Sequence, residues 1–295
     1  MEVITHSPRR AMGITAALLL AGFTSLYAEE IRKTFSTTEN PTVEVRTQAG
    51  RVRVKGWDQN QVGVAGQSSD AMKLSADGDA QKITIESQPT RDKLSREEAQ
   101  VNLEIHVPKK STVHVKSDRG SVEVDDISGG EVMVDGVSTD VDVANVQGGI
   151  DVKTVDGPIQ LLSSQGRVKA ESISGSMRFQ GVSGSEFLAN TNSGSIHFEG
   201  DFGGAQAAGG KPGNYVLNSY SSSIEVIAAR TASFHVSART VQGQIQNNLT
   251  IRPTAEGNSF RRLPGRYVEG RFNTGDAILE INSFAGTIRL NGSGR

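Results

Sequence analysis

Carboxylates crowd one stretch of this chain. Between positions 118 and 156 stand Asp118, Glu123, Asp125, Asp126, Glu131, Asp135, Asp140, Asp142, Asp151 and Asp156. Such density admits two chemistries. Oxygen ligands converging from several turns of chain could hold calcium, and a pair at fixed separation, such as Asp140 and Asp142, could act as general acid and base on a glycosidic bond. Against the first, the Gly-Gly-x-Gly-x-Asp repeat of calcium-binding rolls is absent from the sequence. Most of these carboxylates fall at turns or at the outward middle position of a short strand. A solvated acidic face is therefore expected, and no metal ligand is assigned.

Other reactive groups are scattered. Of the five histidines, His6, His106, His114, His197 and His235, the pair His106 and His114 sits on alternating strands among polar neighbours, as surface residues do. Serine is plentiful, yet no Gly-x-Ser-x-Gly elbow stands between a strand and a helix, and Ser172 to Ser176 reads as a repeat turn. No phosphate-binding loop follows a strand and opens a helix. The absence of cysteine removes disulfides, thiolate metal sites, thiol nucleophiles and a lipid attached through cysteine. No catalytic, cofactor-binding or metal residue is assigned, and no cofactor is expected. Thirty-one basic against 33 acidic residues give a net charge of −2, which supplies no basic field for nucleic acid.

The elements that carry these residues follow from a repeat. Paired apolar residues recur at Val122 and Val124, Val132 and Val134, Val141 and Val143, Ile150 and Val152, Ile159 and Leu161, Val168 and Ala170, Met177 and Phe179, Phe187 and Ala189, and Ile196 and Phe198. The spacing is nine residues or, twice, ten, and a glycine precedes most pairs by two positions, with Thr139 and Ser185 the exceptions. An aliphatic residue often stands two before that glycine, as in Val146, Val155, Ile173 and Val182. Two apolar residues flanking one polar residue share a face of a strand, here of only three residues, and glycine turns the chain. So short a strand buries nothing alone, but stacked coils join the pairs into a column. Two units per coil, or three in a triangular section, both fit.

The predicted fold is thus all-β, a β-solenoid (β-helix-like) of nine-residue half-coils over 117–248, behind a β-rich entry region at 29–116. A composition of 33 glycines, 5% aromatics and small aliphatic residues agrees with many thin layers. In the entry region alternation predicts strands at 42–46, 51–55, 61–65, 82–86, 101–107 and 112–116, with a short helix or exposed loop around 92–100. Loops are expected at 203–213 and in an insertion at 249–274, before terminal coil strands in 275–295. An uncapped last coil would expose strand edges to end-to-end association. Phe179, Phe187 and Phe198 fall at inward positions, leaving Trp57, Tyr215, Tyr220 and Tyr267 as surface aromatics for a sugar-binding wall.

Residues 1–28 read as a secretory signal peptide: Arg9 and Arg10 are the charged part, Gly13 to Phe23 the apolar part, and cleavage is expected after Ala28. The arginine pair also fits a twin-arginine route, although Gly13 interrupts the apolar pair that route needs. No later segment is apolar enough to span a membrane as a helix, so the location is periplasmic, cell-surface or extracellular.

These landmarks carry a resemblance. The segments Gly50-Arg51-Val52-Arg53-Val54-Lys55-Gly56-Trp57-Asp58 and Val101-Asn102-Leu103-Glu104-Ile105-His106-Val107-Pro108, followed by the Gly-x-Val-x-Val series, resemble the bacterial β-strand-repeat domain family of unknown function labelled "putative adhesin". The resemblance implies a β-solenoid and an adhesive role, and it carries no catalytic residues. The expected function is a non-catalytic envelope scaffold or binding surface, its binding residues unknown, with envelope polysaccharide, a protein or a second copy of the chain as partner. The competing expectation is a polysaccharide-processing lyase or hydrolase of the pectate-lyase-like kind, with carboxylates and a basic residue on one wall.

Overall fold

The computed structural model describes residues 29–200, 202, 213–253 and 266–294. The signal-peptide reading lies outside them, as do 203–212 and 254–265 of the two expected loops. Every regular element among the described residues is a strand. Six form the entry region: β1 (Glu29–Ser36), β2 (Thr42–Trp57), β3 (Gln61–Ser68), β4 (Met72–Gly78), β5 (Lys82–Pro89) and β6 (Gln100–Pro108). All six stretches read as entry strands lie within β2, β3, β5, β6 or the next strand, while β1 and β4 were not expected. β2 bends in its middle, so its first half pairs in parallel with β5 and its second half with β6. Antiparallel strands close this end, β4 on β5, and β3 then β1 outward from β6.

On its other side β2 pairs in parallel with β7 (Thr112–Asp125), and β7 with β8 (Ser128–Ala144). Thereafter each coil is two strands, one on each face: β9 (Gln147–Thr154) and β10 (Ile159–Leu162), β11 (Gln165–Ser172) and β12 (Met177–Gln180), β13 (Ser183–Thr191) and β14 (Ile196–Gly200), β15 (Asn214–Ser219) and β16 (Ile224–Ala228). Register runs straight up both faces, Val132 to Ile150 to Val168 to Phe187, and Val141 to Ile159 to Met177 to Ile196. The inward pairs of the repeat are all buried in one continuous core. The strands are longer than three residues because pairing extends through the outward positions and, in β7 and β8, around the corner.

Chain order and spatial order part company at the end. β17 (Phe234–Thr240) and β18 (Ile245–Asn247) form the outermost coil, but β20 (Ala277–Ser283) and β21 (Ile288–Gly292) slot between them and β15 and β16. β19 (Tyr267–Phe272), within the stretch read as a loop, runs antiparallel along β17. Gly270 within it and the proline and arginines of the stretch before it hide it from the sequence, yet it satisfies backbone groups that the outer edge of β17 would otherwise leave open.

The two corners of a coil are built differently. At one, a left-handed residue recurs in successive coils, Asp126 (φ 62°), Asn145 (53°), Ser163 (47°) and Gly181 (63°), mostly types that tolerate it. The next side chain, Ile127, Val146 or Val182, then turns inward. At the other corner a hydroxyl residue is buried, among them Ser117, Thr154, Ser172, Thr191, Ser219, Ser283 and Thr240. Ser172, Thr191 and Ser283 each accept the N–H three residues on, at 2.8–2.9 Å. That hydroxyl fills the interior, so the next residue points out. Val155 and Ile173, expected to repeat the role of Val146 and Val182, are therefore exposed.

Both exceptions in the glycine pattern have a cause. In β8 the hydroxyl and the glycine exchange places: Gly136 stands where neighbouring coils carry Ser or Thr, and the buried Thr139 hydroxyl donates to Ser117 O at 2.8 Å. At Ser185 the register shifts by one residue, so that Gly184 takes the place in the column above Gly166.

Candidate binding site

Stacking sets the outward side chains in rows. One face carries Arg53, Glu123, Asp142, Gln160, Arg178, His197 and Glu225 in line; the other carries Met133, Asp151, Lys169 and Leu188. Several outward side chains find partners on the neighbouring coil or strand. His197 Nδ1 lies 3.1 Å from Glu225 Oε2, His114 Nε2 lies 3.0 Å from Asp135 Oδ2, and the His106 ring packs 5.2 Å from that of Trp57.

The acidic stretch disperses in the same way. Glu123 binds Arg51 and Arg53, Glu131 binds Arg167, Asp126 lies 3.6 Å from Lys109, and Asp125 accepts from Asn145. Among the described residues no three His, Asp or Glu side chains converge as metal ligands would. Asp142 differs. Burial pushes its carboxyl above the usual carboxylate range, and the negative charges of Glu123 and Asp140 push it further.

A cleft of about 840 Å³ opens where the entry region meets the first coils. One wall is the β2 and β7 corner with Arg51, Asp118 and Arg119; the other is the 89–100 segment with Arg91, Asp92 and Arg96. That segment, read as a short helix or exposed loop, is a single turn. Ser95 N–H donates to Glu98 Oε2 at 2.9 Å, the Glu98 N–H donates to Ser95 Oγ at 3.2 Å, and Arg91 pairs with Glu98. Leu94 packs on the core and pins the turn beside the corner. The charges within the cleft are unequal in their partners. Arg51 and Arg91 are bound by glutamates, whereas Arg96 and Arg119 have no carboxylate within ion-pair distance among the described residues. Gln48, Gln100, Asn102, Ser121 and Ser138 add neutral hydrogen-bonding groups. Sequence reading missed this site because its residues come from separate stretches, 48–51, 89–102 and 118–140, which only the pairings of β2 with β6 and β7 and of β7 with β8 bring together.

Of the four aromatic surface candidates, Tyr215 is a correction. It is fully buried, and its hydroxyl donates to Gly184 O at 3.1 Å, which gives the ring's polar end a partner inside the core. Trp57 and Tyr267 are half-buried, and Tyr220 is exposed. Phe179, Phe187 and Phe198 are core residues, as their positions predict.

A family model described as Toastrack DUF4097 matches residues 29–290. The chain belongs to that family. As a family of unknown function, Toastrack agrees with the resemblance read from the sequence. Solved structures similar to this member include a "putative cell adhesion protein" from Clostridium sporogenes, 10% identical, covering 90% of this chain and 100% of that one with a TM-score of 0.28. A "putative adhesin" from Bacteroides fragilis is 13% identical, covering 89% and 97% with a TM-score of 0.32, and one from Parabacteroides distasonis is 8% identical, covering 88% and 97% with a TM-score of 0.26. No curated protein matches the chain.

Proposed function

We propose that this Toastrack protein is an exported, non-catalytic binding protein: a stiff solenoid of nine-residue half-coils that holds an envelope polysaccharide in the cleft beside residues 89–100. The observation that carries the reading is the pair of unengaged guanidiniums, Arg96 and Arg119, facing one concavity with amide and hydroxyl groups between them. A guanidinium binds a carboxylate or phosphate through two parallel hydrogen bonds, and amides and serines suit sugar hydroxyls. Export rests on the residues of 1–28, where Arg9 and Arg10 precede the apolar run from Gly13 to Phe23 as in a secretory signal peptide. Among the described residues no helix is long and apolar enough to cross a membrane.

The test is retention of the purified chain on immobilised cell-envelope glycan fractions, with the Arg96→Ala/Arg119→Ala double variant beside it. Binding is expected to fall at least about tenfold in the variant, the loss of charge-assisted hydrogen bonds at two positions. Equal retention of both proteins, or none of either, overturns the reading.

A second reading has its own observation. Asp140 and Asp142 stand two residues apart on one face of β8, Asp142 holds its proton more tightly than usual, and Arg178 and His197 line the same shallow groove. A glycosidase or lyase needs such a set. Release of new sugar ends from the same glycans, abolished by Asp142→Ala, would establish it in place of simple binding.

A further inference from the structure

We infer that this protein pairs with a second copy of itself, antiparallel, along a single apolar ridge on its hydroxyl-lined corner. The inference goes beyond the cleft and uses a different part of the surface, so its failure leaves the glycan assay standing. Six large hydrophobic side chains are strongly exposed among the described residues, and five of them, Val137 (46%), Val155 (41%), Ile173 (54%), Tyr220 (55%) and Val241 (55%), occupy the same corner position in different coils. Backbone hydrogen bonds stack them: Val155 N–H to Val137 O, Ile173 N–H to Val155 O, and Asn192 N–H to Ile173 O. Beyond Asn192 the column continues through Tyr220, Phe284 and Val241, with the Tyr220 and Phe284 rings parallel at 4.8 Å. Seven coils at about 4.8 Å per step make a ridge about 29 Å long. Asp118 holds the same position in the coil before Val137 and ends the apolar run.

The order of the ridge selects the partner. Read along the axis it is Val137, Val155, Ile173, Asn192, Tyr220, Phe284, Val241: three apolar residues, one asparagine, three apolar residues. A two-fold axis through Asn192 sets apolar against apolar at every other step and amide against amide at the centre. A lone buried asparagine pair fixes register in coiled coils for the same reason, since any slip leaves an amide against an apolar side chain. The flanking column agrees. Two residues before each ridge position stand Asp135, Lys153, Glu171, Asn190, Asn218, Asn282 and Arg239. The same axis places Asp135 opposite Arg239 of the other copy, and Lys153 and Glu171 opposite asparagines, so no two like charges meet. Parallel pairing, with the two-fold axis along the ridge, would carry the two flanking columns to opposite sides, so Asp135 and Arg239 would not meet. So narrow a strip suits a weak, reversible dimer.

Sedimentation equilibrium on the purified full chain across the micromolar range tests this, with melting temperature and circular dichroism confirming the fold of each variant. The wild type is expected to dimerise reversibly, and Ile173→Asp or Asn192→Arg to abolish the dimer. Asp135→Arg and Arg239→Asp are each expected to weaken it about tenfold, and the two together to restore it. A chain that stays monomeric throughout overturns the inference, as does a dimer indifferent to Ile173→Asp. A dimer whose combined charge swap fails to rescue it also overturns the antiparallel pairing. Should Asp135→Arg lose its fold with the His114 contact, Asn192→Arg and Ile173→Asp decide the matter alone.

Discussion

Adding one carbon to Gly175 tests the packing of the coils directly. A Cβ built there would lie 2.0 Å from the carbonyl oxygen of Gly157 in the coil before, and 2.7 Å from its carbon. Both are backbone atoms, so no rotamer change relieves the contact and the coils must move apart by more than 1 Å. The corner is tied where that movement falls: Ile173 N–H and Ser174 N–H both donate to Val155 O, at 3.1 and 2.9 Å, and Gly175 N–H donates to Ser172 Oγ at 2.8 Å. Losing about two of these bonds at a corner where Ser172 and Gly175 are buried costs about 2–4 kcal/mol. Gly149 is the control, because the nearest atoms to a Cβ there, from 3.0 Å, all belong to the flexible Glu131 side chain and none to backbone. Urea unfolding followed by circular dichroism is expected to show Gly175→Ala destabilised by about 3 kcal/mol, with Gly149→Ala within about 0.5 kcal/mol of wild type. A Gly175→Ala chain as stable as the control would refute the idea that coil spacing, set by backbone-on-backbone contact, dictates glycine at this corner.

Gly136→Thr and Thr139→Gly should each destabilise the chain, while the double variant, which restores the order of the neighbouring coils, should recover at least about 1 kcal/mol relative to the sum of the singles in the same unfolding assay. Asp142→Asn should raise the melting temperature slightly at neutral pH. The carboxyl of Asp142 is raised in the folded state, so its ionisation costs stability as pH climbs through that value, and the advantage of the variant should vanish below the unfolded carboxylate pKa, near pH 3. Deleting residues 277–295 should leave an empty slot between two pairs of strand edges and produce light-scattering aggregates in place of a shortened soluble protein.

Periodicity made the solenoid legible because the inward pairs, Val122 and Val124 through Ile196 and Phe198, obey one rule on both faces. It misled where the two corners obey different rules. Val146 and Val155 occupy the same place in the written repeat, and only a left-handed Asn145 ahead of one and a buried Thr154 ahead of the other sends them in opposite directions. Tyr215 was misplaced because one polar atom does not exclude a ring from a core that offers it a carbonyl. The cleft was illegible for a topological reason: no local signal reveals that Arg51 and Arg119 will be neighbours until β2 is known to pair with β7.

The inserted terminal coil explains how so repetitive a chain stays finite. A stack of parallel strands ends in edges that accept another strand as readily as they accepted the last. Here the entry end is closed by antiparallel β4 and by β3 and β1, and β1 presents a charged edge with Glu30, Arg32 and Lys33. At the other end β19 turns back along β17, leaving β18, three residues long, as the edge of the second face. Because β20 and β21 lie inside the stack, neither strand can detach to offer a template without first breaking pairs on both sides. These caps oppose growth along the axis, and the self-pairing proposed above accordingly runs sideways, through the apolar ridge.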